Sequence, residues 1–246
     1  SVVYDSNSTF SSSMMQGFVN ALVGLKGEIK YQWDTNDFGE TTEEQYRGII
    51  RQLLNNKNED PGMIMVATRS QDAVGFIVSL RRKGLNYPMI GGDNLGGDDI
   101  TDLFNVYPEE QAQPGYVSDG ILAPVALIYD LANEKAHEVK NNYLEKYQVK
   151  PGWRAAAHYD LAMVLTEAIK QAQVTGNKNN IAEERQLVRE SLASFNSPEN
   201  AIEGLEGKLY FDEEGNAKTP LSIGRFEKQK FISAFTQLSP VADIRA

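Results

Sequence analysis

The stretch Met63-Ile64-Met65-Val66-Ala67 contains no polar residue. A strand with one wet face alternates apolar and polar side chains. A strand covered on both faces does not, so this run marks the centre of a parallel sheet with helices on either side. Downstream, Gln71 to Lys83 carries Val74, Ile77, Val78 and Leu80 at helical spacing. It closes with Arg81-Arg82-Lys83 and Gly84, cations and a glycine that suit a helix C-terminus. Pro88-Met89-Ile90 is the next strand, and it runs straight into Gly91-Gly92 and an acid, Asp93. Upstream, Thr41 to Asn56 is a helix with Tyr46, Ile49, Ile50, Leu53 and Leu54 facing inward. Glu28 to Trp33 alternates, with Ile29, Tyr31 and Trp33 on one face, as in a strand near a sheet edge. Phe10, Met14, Phe18 and Leu22 recur every four residues, widened by Met15 and Val19, in a helix ending at Gly24 or Gly27. Val2-Val3-Tyr4 opens the chain as a strand, and Asp5 to Thr9 is a turn and N-cap cluster.

Strand and helix therefore alternate through the first ninety residues, which implies an α/β fold: a doubly wound parallel sheet with right-handed crossovers. The exits of the first, third and fourth strands (Asp5 to Phe10, Thr68 to Gln71, Gly91 to Asn94) then share one edge of the sheet, where small ligands dock in such folds. Beyond it the pattern changes. Residues 98–118 are acidic and irregular, with a helical turn expected at Ile100 to Phe104. Gly120 to Val125 reads as a fifth strand, and Pro124 near its end suggests a sheet edge or an exit. Glu134 to Tyr147, Trp153 to Gln173 and Ile181 to Phe195 are helices. Gly204 to Asn216 is a strand and tight turn, and Leu221 to Phe226 with Lys230 to Phe235 forms a hairpin. The helices between 130 and 195 lack a run of strands of their own. They either cover the first sheet or belong to a second sheet that this chain does not supply.

The chain has 246 residues, enough for one large domain or two small ones, and 41% of them are hydrophobic, which suffices for a packed core. Net charge is −10 with the acids spread along the chain. Nucleic acid is not expected as a partner, because phosphate neutralisation needs a basic face. Cysteine is absent, which excludes disulfides, thiolate catalysis and cysteine–zinc sites. No apolar run has the length of a membrane span, and no signal peptide is visible in the sequence, which opens directly on Ser-Val-Val-Tyr; residues missing upstream are the expectation. His137 and His158 sit within helices without metal-ligand spacing and read as structural. Gly91 to Gly97 lacks the lysine of a phosphate-binding loop. Asp212-Glu213-Glu214 is a solvated turn, and Asn7-Ser8-Thr9, although it fits a glycosylation triplet, is explained as an N-cap. Neither a metal nor a cofactor is expected.

What remains is a constellation at the strand exits: Phe10, Arg69 and Asp93, with Ser8, Ser11, Ser70 and Asn94 as hydrogen-bonding neighbours. An aromatic wall, a cation and an anion at one edge suit a zwitterion or other small polar solute. Each has a plainer alternative. Asp93 caps a turn, Phe10 continues the core stripe of its helix, and Arg69 forms a surface salt bridge.

The order of these elements resembles the branched-chain amino-acid type of periplasmic solute-binding protein, the type I fold of ABC importers and related receptors. Val2 to Ser11 is similar to that family's first strand and following Asp-x-x-x-Tyr-Gly, with Phe10 for the tyrosine and Ser11 for the glycine. Met89 to Asp93 resembles its strand-Gly-x-acid element. Ala155 to Asp160 resembles its Tyr-Asp step, and Gly204 to Gly215 its Gly-x-x-Gly-x-x-x-Phe-Asp-x-x-Gly signature. The strands through to Pro240 resemble its tail. The resemblance implies two lobes with a solute between them: residues 1–122 as the second lobe, 126–210 as the helical part of a first lobe lacking its N-terminal segment, and 211–246 as strands returning to the second. It implies a non-enzymatic receptor of an ABC importer, periplasmic or otherwise extracytoplasmic, with a lipid anchor as one way of holding it there. That receptor would bind an amino acid or similar amine-bearing solute in an interlobe cleft and present it to a permease. The alternative is the sensing domain of a signalling receptor in the membrane; an α/β enzyme using Asp93 has no base, nucleophile or metal set beside that acid. In the family's pattern Asp93 falls where an acid binds the ligand amine and Phe10 where an aromatic closes over the ligand. Arg69 falls near a further aromatic contact and is a departure.

Overall fold

The computed structural model describes residues 1–56 and 58–237. The resemblance at Leu238 to Pro240 lies outside them. The chain divides into two compact units, residues 1–125 with 223–246, and residues 126–222.

Unit 1 is built on a seven-stranded sheet. In chain order its first elements are β1 (Val2–Tyr4), α1 (Thr9–Gly24), β2 (Gln32–Asp34), α2 (Thr42–Asn55), β3 (Ile64–Ala67), α3 (Ser70–Arg82) and β4 (Met89–Gly91). Then come α4 (Asp98–Phe104), α5 (Pro108–Ala112) and β5 (Leu122–Val125). The strand order is β10-β9-β5-β4-β3-β1-β2, where β9 (Ser222–Glu227) and β10 (Lys230–Ser233) form the C-terminal antiparallel hairpin. The pairings among β1 to β5 are parallel. All four residues of β3 are buried, as its unbroken apolar run requires. Helix α1 lays Met14, Met15, Phe18 and Val19 against Val2, Met65 and Ala67. Helix α3 buries Ala73, Val74, Phe76, Ile77, Val78 and Leu80, and Phe76 meets Tyr46 of α2 with ring centroids 5.3 Å apart. A capping box starts α2: Glu44 N donates to Thr41 Oγ1 and Thr41 N donates to Glu44 Oε2.

One expectation needs correcting here, and one alternative is decided. The strand expected over Glu28 to Trp33 is confined to Gln32–Asp34, because β1 offers only Val2 to Tyr4 as partners; it is nonetheless the edge strand. Pro124 marks the exit and not an edge: it is the third of the four residues of β5, which lies between β4 and β9.

Unit 2 contains α6 (Glu134–Tyr147), α7 (Trp153–Gln171) and α8 (Ile181–Ser194), followed by β6 (Ile202–Glu203), β7 (Lys208–Phe211) and β8 (Ala217–Lys218). These three strands form a small antiparallel sheet of their own. The chain therefore rejoins the large sheet near residue 222, not at 211, because β7 and β8 pair with each other within unit 2. Val164 and Ala168 of α7, with Phe195, pack on Leu209 of the small sheet. Leu161 and Leu165 of the same helix are exposed. The Gly204-to-Gly207 loop is held from α7 by Asp160, which is buried: Leu205 N donates to both of its carboxylate oxygens (2.7 and 2.8 Å), and Glu206 N to one of them (3.1 Å). Gly204 must be glycine, since a Cβ would lie 2.3 Å from Asp160 Oδ2.

Candidate functional site

In the sheet β1, β3 and β4 are neighbours, and because they run parallel their exits open on one rim. Side chains tie the three exits together. Ser11, in the first turn of α1 and fully buried, accepts from Asp5 N (2.7 Å) and donates to Ala67 O, joining the β1 exit to the end of β3. Ser70 Oγ donates to Asn94 O (2.7 Å), and Asn94 Nδ2 donates to Thr68 O (2.6 Å), joining the β3 and β4 exits twice. Ser8 is the N-cap of α1 and accepts from Ser11 N at 3.4 Å, as the cluster Asp5 to Thr9 suggests. Gly92 lets α1 approach the end of β4: a Cβ there would meet Met14 Sδ at 2.6 Å and Asn94 Oδ1 at 2.8 Å.

Three of the expected site residues are exposed on this tied rim. Phe10, in the first turn of α1, is 42% exposed; its helix stripe buries from Met14 onward. Arg69 is the N-cap residue of α3, exposed, and makes no capping bond with its side chain. Asp93 opens a single 3₁₀ turn, Asp93–Leu95, and is exposed. The other three, Ser11, Ser70 and Asn94, bond to main-chain groups of neighbouring loops. Asp72, in the first turn of α3, has its carboxyl raised above the ordinary value by burial and then by Asp5, with Arg69 acting in the opposite sense.

The sequence reading missed one feature. Thr68 and Asn94 are 3% and 7% exposed, yet Thr68 Oγ1 and Asn94 Oδ1 have no hydrogen-bond partner among the described residues. Buried polar atoms are nearly always paired, so the rim holds unused hydrogen-bonding capacity. A polar residue directly after an all-apolar strand is the only sign of it in the sequence. Both histidines belong to unit 2; His158 Nδ1 is 2.7 Å from Arg154 O, and the ring of His137 lies beside Tyr129. Asp212 accepts from Asn216 N (2.7 Å) and Lys218 Nζ (2.9 Å), and these bonds, that of Lys218 first, hold its carboxyl down to about 2, as a turn residue.

Solved structures share this architecture. A leucine-binding protein from Thermotoga maritima superimposes with a TM-score of 0.71 at 19% identity, covering 95% of this chain and 58% of that one. The branched-chain amino-acid transporter substrate-binding protein of Streptococcus pneumoniae, in complex with isoleucine, gives 0.69 at 20% identity, covering 97% and 60%. A solute-binding protein of an ABC transporter from R. palustris, in complex with benzoate, gives 0.72 at 17% identity, covering 99% and 59%. The chain has the type I periplasmic-binding-protein fold. It spans about three fifths of the length of these structures. No protein-family model matches the sequence, and no curated protein does. Among the described residues, no helix is long and apolar enough to cross a membrane, and no group of histidine and acidic side chains is placed to hold a metal ion.

Proposed function

We propose that the chain is part of a solute-binding receptor of an ABC importer that works on the extracytoplasmic side and delivers an amino acid or similar amine-bearing solute to a permease. The observation that carries this reading is the rim itself. Asp93, Arg69 and Phe10 stand exposed on three loops that buried side chains lock to one another. Rigid loops presenting exposed charges are what small-solute recognition needs, because the ordering cost is met on folding rather than on binding. In this reading Asp93 accepts charge-assisted hydrogen bonds from the amine, Phe10 covers the apolar part of the solute, and Ser11, Ser70 and Asn94 position the loops. Binding without turnover fits a rim whose serine hydroxyls donate to main-chain carbonyls, in a unit whose sequence contains no histidine.

The test is calorimetry of the chain against amino acids and aromatic carboxylates, with Asp93→Asn alongside. A bond between an amine and a carboxylate is worth about 1.5–3 kcal/mol, so the variant should lose tenfold or more in affinity for amine-bearing solutes. Unchanged affinity in Asp93→Asn would remove that residue from the site. Failure of every solute to bind would remove the reading.

A further inference from the structure

The solute-receptor reading assigns Asp93 a task and leaves the neighbouring cation without one. Arg69 and Asp93 lie at the exits of adjacent strands, each two residues beyond the end of its strand, Ala67 for β3 and Gly91 for β4. The register that sets Val66 beside Gly91 carries Asp93 level with Thr68, the residue before Arg69. The Asn94-to-Thr68 and Ser70-to-Asn94 bonds hold the two loops together. The Arg69 side chain forms no salt bridge and no capping bond among the described residues. Asp72, three residues on in α3, is an electrostatic neighbour.

Two more features mark the position as an anion site. Arg69 caps the N-terminus of a thirteen-residue helix, where the first-turn amides and the helix dipole favour negative charge. Directly before it, the hydroxyl of Thr68 is a buried donor without a partner. Asp72 opposes an anion there, but burial and Asp5 already disfavour its charged form.

We propose that Arg69 holds an anionic group of the solute from the same unit whose Asp93 takes the amine, so that unit 1 alone recognises both charges of its ligand. This rests on the receptor reading above. The spacing of adjacent loops suits an α-carboxylate beside its ammonium and equally an acid at the end of a short side chain. The shared chemistry is a carboxylate within a few ångströms of an amine.

The experiment measures binding of four probes to the chain by calorimetry or NMR titration: leucine, leucinamide, glutamate and glutamine. The wild type should favour an acid over its amide by about tenfold in one pair. Leucine over leucinamide assigns Arg69 to the α-carboxylate; glutamate over glutamine assigns it to the side-chain acid. Arg69→Gln should bring that ratio close to one, and Arg69→Lys should keep part of it, since the charge survives while the fork of donors is lost. The side chain is exposed and forms no salt bridge and no capping bond among the described residues, so these variants should fold as the wild type does. A ratio that survives in Arg69→Gln, or a wild type blind to both amidations, overturns the inference. If Asp93→Asn abolishes binding while the acid-to-amide ratio ignores Arg69, the receptor reading stands and this one falls; if none of the four probes binds, both fall.

Discussion

Glu206 should make the stability of this protein fall as pH rises from 5 to 8. It sits in the Gly204-to-Gly207 loop, is only 9% exposed, and its Oε1 has no hydrogen-bond partner among the described residues. Burial, and after it the buried carboxylate of Asp160, push its carboxyl from 4.5 up to about 7. A raised acid binds its proton more tightly folded than unfolded. The stabilisation is therefore complete below pH 4.5 and is lost as pH climbs through 7. With those two values, linkage gives a loss of about 2.5 kcal/mol between pH 5 and pH 8, as about 1.4 kcal/mol per unit requires. Glutamine is the neutral isostere and carries no such term. Urea unfolding of the wild type and Glu206→Gln, followed by circular dichroism at pH 5, 6, 7 and 8, isolates the residue from all other titrating groups. The two proteins should be close in stability at pH 5, and the variant should be the more stable by about 2 kcal/mol at pH 8. Parallel profiles would show that water or a rotated side chain already solvates the carboxylate, and the argument from burial would fail.

Two further substitutions test how each unit is held. Glu110 is fully buried in unit 1 and accepts from Gly115 N, Val117 N, Ser118 N and Ser118 Oγ; Glu110→Gln turns an amide donor toward those donors and should cost about 3 kcal/mol in chemical denaturation. An unchanged midpoint would show that the 110–118 loop is not organised by that carboxylate. Gly204→Ala drives a methyl into Asp160 Oδ2 and should cost about 2 kcal/mol or more, with the loss spread over the three bonds that Asp160 accepts from the loop. Amide exchange at Leu205 and Glu206 should rise in that variant, and protection equal to the wild type would refute the clash.

What was legible in the sequence is what has a period. The unbroken apolar run of β3 shows that both of its faces are covered, and the spacing of Met14 and Phe18 sets the face of α1, so the parallel order and the shared rim follow. Pairing partners have no period. Pro124 reads as an edge or an exit residue, and only the strand order decides for the exit. The small sheet of unit 2 is legible in part: β7 falls within the strand and tight turn expected over Gly204 to Asn216, whereas β6 and β8 are two residues long, too short for any alternation to register. Side-chain-to-backbone bonds are hidden most completely. Ser11, Ser70 and Asn94 have the composition of ligand contacts, because a hydroxyl or amide at a strand exit reads the same whether it faces a solute or a neighbouring loop. The distinction rests on geometry: Ser11 spends both its lone pair and its proton on β1 and β3, and Asn94 spends its amide on Thr68. Charge is the opposite case. An arginine and an aspartate exposed on adjacent loops are not core, and the arginine's electrostatic neighbour Asp72 has its charged form disfavoured by burial and Asp5, so the proposed role of the pair in holding a ligand rests on charge. That asymmetry between saturated hydroxyls and an exposed guanidinium is why Arg69, and not the serines, is where the specificity of this rim should be sought.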